Sequence, residues 1–161
     1  MKRIYLSIAL VCLTLFVWSQ NDYKIYESFD KLQDTIHQSK EQVVVVNFWA
    51  TWCAPCVREL PYFEQLRQDF SKDELRIVLV SLDFKRQLEK NLVPFLEKNE
   101  INSEVCVLLD TKESIWIDKI DPKWSGAIPA TLIISGDKRK FIEGEIHDYK
   151  ELTSIIESFK N

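Results

Sequence analysis

Apolar runs alternate along the chain with segments in which apolar residues recur at helical spacing. Residues 43–46 are four consecutive valines that lead on to Phe48, a pattern typical of a central parallel strand buried on both faces. Residues 76–82 and 105–109 predict two further buried strands, and residues 23–26 predict a short one. Strands joined by helices are typical of an α/β domain.

The helices are predicted from spacing, caps and prolines. The first begins at Ser28 as its N-cap, and the last begins at Asp148, with Glu151 three residues later completing a capping box. Two predicted helices contain a proline: Pro61, where we expect a kink, and Pro94, which interrupts or restarts its helix. The predicted helices cover residues 28–40, 54–70, 84–100 and 113–120 and the stretch after Asp148.

The last third of the chain predicts a β-hairpin. Residues 130–134 and 139–143 flank a turn-forming sequence, Ser135-Gly136-Asp137-Lys138. A hairpin adds antiparallel strands to strands that are otherwise joined by helices. We therefore expect an α/β fold with a central mixed sheet flanked by helices.

The first residues differ from the rest of the chain. Two basic residues precede an apolar run over residues 4–18, which has the layout of a secretory signal and is shorter than a membrane span of about 20 residues. We expect cleavage near Ser19. The predicted organisation is a signal peptide over residues 1–19 and one folded domain over residues 20–161. The alternative is that the apolar run is kept as a membrane anchor.

Composition and charge narrow the class of function. The chain has 161 residues and a formal net charge of −4, and no strongly basic stretch argues for nucleic-acid binding. Of its four cysteines, Cys12 lies in the predicted signal. The others, Cys53, Cys56 and Cys106, are too few for a disulfide framework in an exported domain, so they indicate redox chemistry.

Two of these cysteines form a Cys-x-x-Cys motif between the valine strand and the next helix. The amino end of a helix offers unpaired N–H groups and partial positive charge, so a thiolate at Cys53 is stabilised there. Cys56 lies within reach, so the pair can close into a disulfide and reopen. The alternatives are a structural disulfide or half of a zinc site. Because Cys106, His37 and His147 lie at no zinc-ligand spacing, we expect no metal.

Glu59 follows Cys56 by three residues, on nearly the same face of the predicted helix. One interpretation is a solvated surface glutamate. The other is a partly buried carboxylate that raises the thiol pKa and takes the Cys56 proton. Cys106 stands between two valines of a predicted strand and is interpreted as a buried, inert thiol. Both histidines are interpreted as surface residues.

Four features, in the same order along the chain, resemble the thioredoxin superfamily and, within it, the exported TlpA/ResA-type thiol-disulfide oxidoreductases. They are Asn47-Phe48-Trp49-Ala50-Thr51-Trp52-Cys53-Ala54-Pro55-Cys56, Glu59-Leu60-Pro61, Ile128-Pro129-Ala130-Thr131 and the helix–strand unit at about 84–109. The resemblance spans roughly residues 25–160. It implies a thioredoxin fold into which the helix–strand unit is inserted.

The resemblance also implies roles for individual residues. It places an active-site glutamate at Glu59 and a cis peptide bond between Ile128 and Pro129, beside Cys53. Asn47 stands where thioredoxins carry a buried aspartate. The absence of that acid makes a carboxylate elsewhere in the site, at Glu59, more useful.

The surface that meets the substrate is expected around the dithiol. The residues assigned to it are Trp52, Ala54, Pro55, Ile128 and Pro129. Three tryptophans could form an apolar rim there: we expect Trp49 in the core and Trp52 on the surface, and Trp124 fits either place.

Together these residues predict an exported oxidoreductase that reduces disulfides of envelope proteins and takes electrons from a membrane thiol donor. We expect a monomer without a cofactor, and by family analogy cytochrome c maturation is one possible client pathway. The alternatives are a disulfide oxidase or isomerase in the same compartment, and a copper carrier that uses the two thiolates. A peroxidase is disfavoured because no cysteine lies in a separate peroxidatic loop.

Overall fold

The computed structural model describes residues 23–36 and 42–160, and the structural statements below concern those residues. The predicted signal segment, His37 and the end of the first predicted helix lie outside them. Within the two described ranges, no helix is both long enough and apolar enough to cross a membrane.

Six strands form one mixed sheet. They are β1 (Lys24–Tyr26), β2 (Val43–Trp49), β3 (Leu75–Ser81), β4 (Glu104–Leu108), β5 (Ala130–Ser135) and β6 (Lys138–Glu143). Their order across the sheet is β1-β4-β3-β2-β5-β6. β1, β4, β3 and β2 are parallel to one another, whereas β5 is antiparallel to β2 and β6 is antiparallel to β5. The predicted mixed sheet is confirmed, with the valine strand β2 near its centre.

Five α-helices flank this sheet. They are α1 (Phe29–Ile36), α2 (Ala54–Asp69), α3 (Val93–Lys98), α4 (Glu113–Ile120) and α5 (Tyr149–Glu157). Asp148 caps α5 as predicted, and its carboxylate accepts the N–H of Glu151 at 2.8 Å. α2 continues through Pro61 as one helix, and the kink expected there stays a prediction.

The segment predicted as a helix over residues 84–100 contains three helical geometries in succession. A 3-10 turn (Lys85–Gln87) and a π turn (Leu88–Leu92) lead into α3, which carries Pro94 in its first turn. Proline is tolerated in a first turn because its missing N–H has no partner there in any case. Pro94 therefore restarts the helix, as one of the two predicted possibilities had it.

Two apolar cores lie on opposite faces of the sheet. Successive residues of a strand point to opposite faces, so the odd-numbered apolar residues of β2 pack with α2, α3 and α5, and the even-numbered ones with α1 and α4. β2 is buried along all seven residues because helices cover both of its faces. By the same alternation the polar side chain of Asn47, which is fully buried, points toward α2.

Candidate active site

The two cysteines of the motif lie at the junction between β2 and α2. Cys53 is the N-cap residue of α2, and Ala54 and Pro55 form the start of the helix. The backbone N–H of Cys56 donates to the Cys53 sulfur at 3.3 Å. Cys53 and Cys56 are joined in a disulfide with an S–S distance of 2.04 Å. The helix thus directs an N–H group at the sulfur that the sequence predicts to be the nucleophile.

The two sulfur-bearing residues differ in accessibility. Cys53 keeps 6% of its surface exposed, whereas Cys56 is fully buried beneath it. The carbonyl oxygen of Ile128 lies 3.6 Å from the Cys53 sulfur, and the Ile128–Pro129 peptide bond is cis, as the resemblance implied. Cys53 is thus the more exposed of the two cysteines, and it faces the loop that carries Pro129.

An apolar groove of about 490 Å³ opens beside Cys53. Trp52, Phe84, Ile117 and Ile128 contribute apolar side chains to it, and Trp52 and Phe84 are each more than half exposed. The groove extends from the loop of residues 50–53, here called the reactive loop, to the end of β4, where Leu108 lines it. The groove thus places an apolar surface next to the disulfide.

The reactive loop is held by Asp83, a residue that the sequence patterns did not single out. Asp83 lies just beyond β3 and is 1% exposed. Its carboxylate accepts the backbone N–H of Thr51 at 3.0 Å, the Thr51 hydroxyl at 2.5 Å and the Ser81 hydroxyl at 2.8 Å. The two bonds to Thr51 fix the loop two residues before Cys53, and the bond to Ser81 holds the carboxylate at the end of β3.

Replacing Asp83 by alanine is expected to lower the free energy of unfolding by about 2–3 kcal/mol, because two half-buried donors of Thr51 and the buried hydroxyl of Ser81 lose their acceptor. Asp83→Asn keeps one acceptor oxygen and should lose less. Urea unfolding of the oxidised proteins measures both values. Equal stability of Asp83→Ala and the wild type would contradict the role of Asp83 as the anchor of this loop.

Glu59 lies one turn of α2 beyond Cys56 and is fully buried. Its two carboxylate oxygens accept hydrogen bonds, one from the Asn47 side-chain N–H at 2.7 Å and the other from the Ile146 backbone N–H at 2.8 Å. Burial raises the pKa of Glu59 to about 7, although these two hydrogen bonds work in the opposite direction. The carboxyl group can therefore gain or lose a proton near neutral pH, and the interpretation as a solvated surface residue is wrong.

An ion pair lies next to the segment between β6 and α5 that contacts Glu59. Arg58 on α2 binds Glu145 through two parallel hydrogen bonds of 2.8 and 2.6 Å. Glu145 directly precedes Ile146, the backbone donor to Glu59, and its negative charge contributes to the raised pKa of Glu59. Arg58 and Glu145 thus tie α2 to the segment between β6 and α5.

The remaining sequence-predicted residues differ in their exposure. Trp49 and Trp124 are both buried, so Trp52 alone of the three tryptophans forms an exposed rim. Cys106 is fully buried in β4, and burial raises the pKa of its thiol to about 12, as expected of an inert residue. His147 is exposed. Across residues 23–36 and 42–160, no three His, Cys, Asp or Glu side chains form a group that could hold a metal ion.

Proteins of similar sequence are thiol-redox proteins by name. Thioredoxin-like protein YneN of Bacillus subtilis is 31% identical over 47% of this chain and 44% of its own length. Thiol-disulfide oxidoreductase ResA of Oceanobacillus iheyensis is 33% identical over 48% of this chain and 50% of its own length. ResA of Bacillus subtilis is 29% identical over 70% of this chain and 62% of its own length. The chain thus spans about half the length of the curated relatives it matches.

Solved structures share the fold. A thioredoxin-related protein from Neisseria meningitidis serogroup B aligns with a TM-score of 0.64 and 23% identity, covering 83% of this chain and 90% of that one. StoA from Bacillus subtilis aligns with a TM-score of 0.54 and 22% identity, covering 73% and 84%. The predicted thioredoxin fold is confirmed by these likenesses.

A family model covers most of the domain. The model of the AhpC/TSA family matches residues 28–142, which include the reactive loop, Glu59, the cis-proline loop and all strands except β1 and the last residue of β6. The chain therefore belongs to the AhpC/TSA family and is a thioredoxin-like member of it.

Proposed function

We propose that this protein is a thiol-disulfide oxidoreductase that reduces disulfides of other proteins through Cys53 and Cys56. The observation that carries the proposal is the layered site: the accessible Cys53 sulfur receives a helix N–H, Cys56 is buried beneath it, and Glu59 is buried one turn further. The names of relatives such as ResA support the same reaction class.

The reaction begins with the reduced protein. The Cys53 thiolate attacks one sulfur of a client disulfide, so a Cys53–client bond forms while the other client sulfur leaves as a thiolate and takes a proton from solvent. Glu59 then takes the proton of the Cys56 thiol, and the Cys56 sulfur attacks the Cys53 sulfur. The Cys53–Cys56 disulfide forms, the second client sulfur leaves, and two electrons have passed to the client.

The reducing direction follows from the charges around the thiols. Glu59 is a buried carboxyl group near Cys56, and when ionised its charge opposes a thiolate. The Ala54-Pro55 tip lacks a histidine that would favour the thiolate. Both features destabilise the reduced form of the pair relative to the disulfide, which corresponds to a low reduction potential.

The setting of the reaction is the cell envelope. The basic start and short apolar run of residues 2–18 support export, and an exported reductant needs a dedicated source of electrons, for which a membrane thiol donor is proposed. We propose a monomer whose clients are disulfide-containing envelope proteins, with proteins of cytochrome c maturation as one client group. The groove lined by Trp52 and Ile128 is the proposed client surface, together with Ala54, Pro55 and Pro129.

Equilibration with glutathione tests the direction of electron flow. If the reduction potential of the pair is roughly −300 mV, a glutathione buffer at about −240 mV should leave about 100 molecules with the disulfide for each one with the dithiol. The oxidised fraction of the pair is measured by acid quenching, alkylation and intact mass, with the fully reduced protein as the reference. A pair that stays mostly reduced in this buffer would identify an oxidase or isomerase instead.

A further inference from the structure

Asn47 bridges Glu59 to the neighbouring strand. Its side-chain nitrogen donates one hydrogen to Glu59 at 2.7 Å and the other to the Thr131 hydroxyl of β5 at 3.0 Å. All three residues are fully buried. The side-chain oxygen of Asn47 is also buried and has no hydrogen-bond partner among the described residues. A buried amide oxygen without a donor is rare and calls for an explanation.

The observed bonds suit the ionised state of Glu59 better than the protonated one. Both of its oxygens face N–H donors, those of Asn47 and Ile146, and an ionised carboxylate needs no more than this. A carboxylic acid carries a hydrogen that must itself find an acceptor. In the observed orientation Asn47 presents a donor and no acceptor to Glu59, so the hydrogen of a protonated Glu59 finds no acceptor in either of the two groups bound to it.

A half-turn of the Asn47 amide removes this conflict. It exchanges the positions of the amide nitrogen and oxygen, so the oxygen can accept the hydrogen of a protonated Glu59 and also that of the Thr131 hydroxyl, which can act as donor or acceptor. Each orientation makes two hydrogen bonds and leaves one amide atom unpartnered at the same place. The rotation therefore loses no hydrogen bond when the proton arrives.

We propose that Asn47 is a positioning residue for proton transfer, whose amide turns over each time Glu59 gains or loses a proton. The proposal deepens the proposed function, since the proton in question is the one that Glu59 takes from the Cys56 thiol: the S–H bond breaks, an O–H bond forms on Glu59, and the electron pair stays on sulfur for the attack on Cys53.

The charged surroundings of Glu59 leave Asn47 as its adjustable partner. α2 contributes Cys56 and Arg58, and the segment after β6 contributes Glu145, which Arg58 holds. From β2 and β5, the neutral side chains of Asn47 and Thr131 meet the network around the carboxyl group. The Ile146 N–H is a fixed backbone donor, so it cannot adapt to a protonated carboxyl group.

Nuclear magnetic resonance of the oxidised wild-type protein tests the rotation directly, because the disulfide removes the thiol titrations. The carboxyl carbon of Glu59 and the side-chain amide of Asn47 should titrate with one midpoint. Cross-peaks from the Asn47 amide hydrogens to Thr131 should be strong above that midpoint and weak below it. Unchanged cross-peaks across the titration would overturn the proposal, even if the chemical shifts move.

The variant Asn47→Leu gives a second measurement. Because an ionised carboxylate depends more on a donor than the neutral acid does, the Glu59 midpoint should rise by about one pH unit, and closure of the Cys53–Cys56 disulfide at pH 7 should slow about fivefold. Asn99→Ala, which changes an exposed asparagine, is the matched control and should change neither value. A Glu59 midpoint unmoved in Asn47→Leu contradicts the proposal.

The failure of this inference and that of the proposed function are distinguishable. If the amide turns over but Glu59→Gln leaves thiol kinetics unaltered, the reaction scheme is wrong and the rotation stands. If Glu59 acts in the kinetics but the cross-peaks to Thr131 stay fixed, the scheme stands and Asn47 has only a structural role.

Discussion

Serine in place of Cys53 should lower disulfide reduction by a factor of about 1000 or more, because a hydroxyl is not ionised at neutral pH and forms no disulfide. Cys53 is the less buried of the two cysteines, and its sulfur receives the Cys56 N–H, so we expect no other group of the site to replace it. The rate is measured as thiol release from a protein disulfide substrate with a stoichiometric chemical reductant present.

Cys56→Ser is the matched variant for this test. It keeps the attacking thiolate and lacks the sulfur that releases the client, so it should accumulate a covalent adduct through Cys53, visible as an increase in intact mass. Cys106→Ala is the control with activity close to wild type, since its thiol is buried in β4. If Cys53→Ser instead accumulates adducts through Cys56, the assignment of the two sulfurs is reversed.

Glu59→Gln should make the oxidised protein more stable at alkaline pH and leave it nearly unchanged at acidic pH. The folded-state pKa of Glu59 is raised from 4.5 to about 7. The folded protein therefore holds a proton that the unfolded chain releases, and wild-type stability falls as pH rises from about 4.5 to 7. This shift corresponds to about 3 kcal/mol above pH 7, and the uncharged glutamine avoids the loss.

Urea unfolding between pH 4 and pH 9 measures this effect. The wild-type stability should decline over that window relative to Glu59→Gln, whereas the exposed-residue control Glu97→Gln should follow the wild type. In the reduced protein the same variant should slow release of a trapped client, because the Cys56 proton has lost its acceptor. Parallel pH profiles for wild type and Glu59→Gln would show that Glu59 is not the buried titrating group.

Local patterns were sufficient to predict most elements of the fold. The valines of β2, the cap at Asp148 and the Gly136-Asp137 turn each act within a few residues, so strands, helices and the hairpin follow from short stretches of sequence. The segment before α3 was less regular than its apolar spacing indicated. There, Pro94 fixes where the α-helix restarts, but spacing alone does not distinguish a 3-10 or π turn from an α-helix.

The support of the site depends on contacts that are distant in sequence. Glu59 is bound by Ile146, 87 residues away, and Thr51 is bound by Asp83, 32 residues away. Neither Asp83 nor Ile146 belongs to a periodic pattern, since both lie in connections outside the helices and strands. The Cys-x-x-Cys motif revealed the chemistry, but the residues that position it became apparent only when the sheet brought these connections together.

The register of β4 shows how this strand fits between its two neighbours. Lys24 of β1 lies opposite Cys106 of β4, and Cys106 lies opposite Val80 of β3. If the strand between them were absent, β1 and β3 could pair in the same alignment after a sideways shift of about 4.8 Å, the spacing of neighbouring strands. The unit thus widens the sheet on the side of β3 away from β2. In this register, the alignment of β2 with β3 and β5 beside the sulfurs does not depend on a strand standing between β1 and β3.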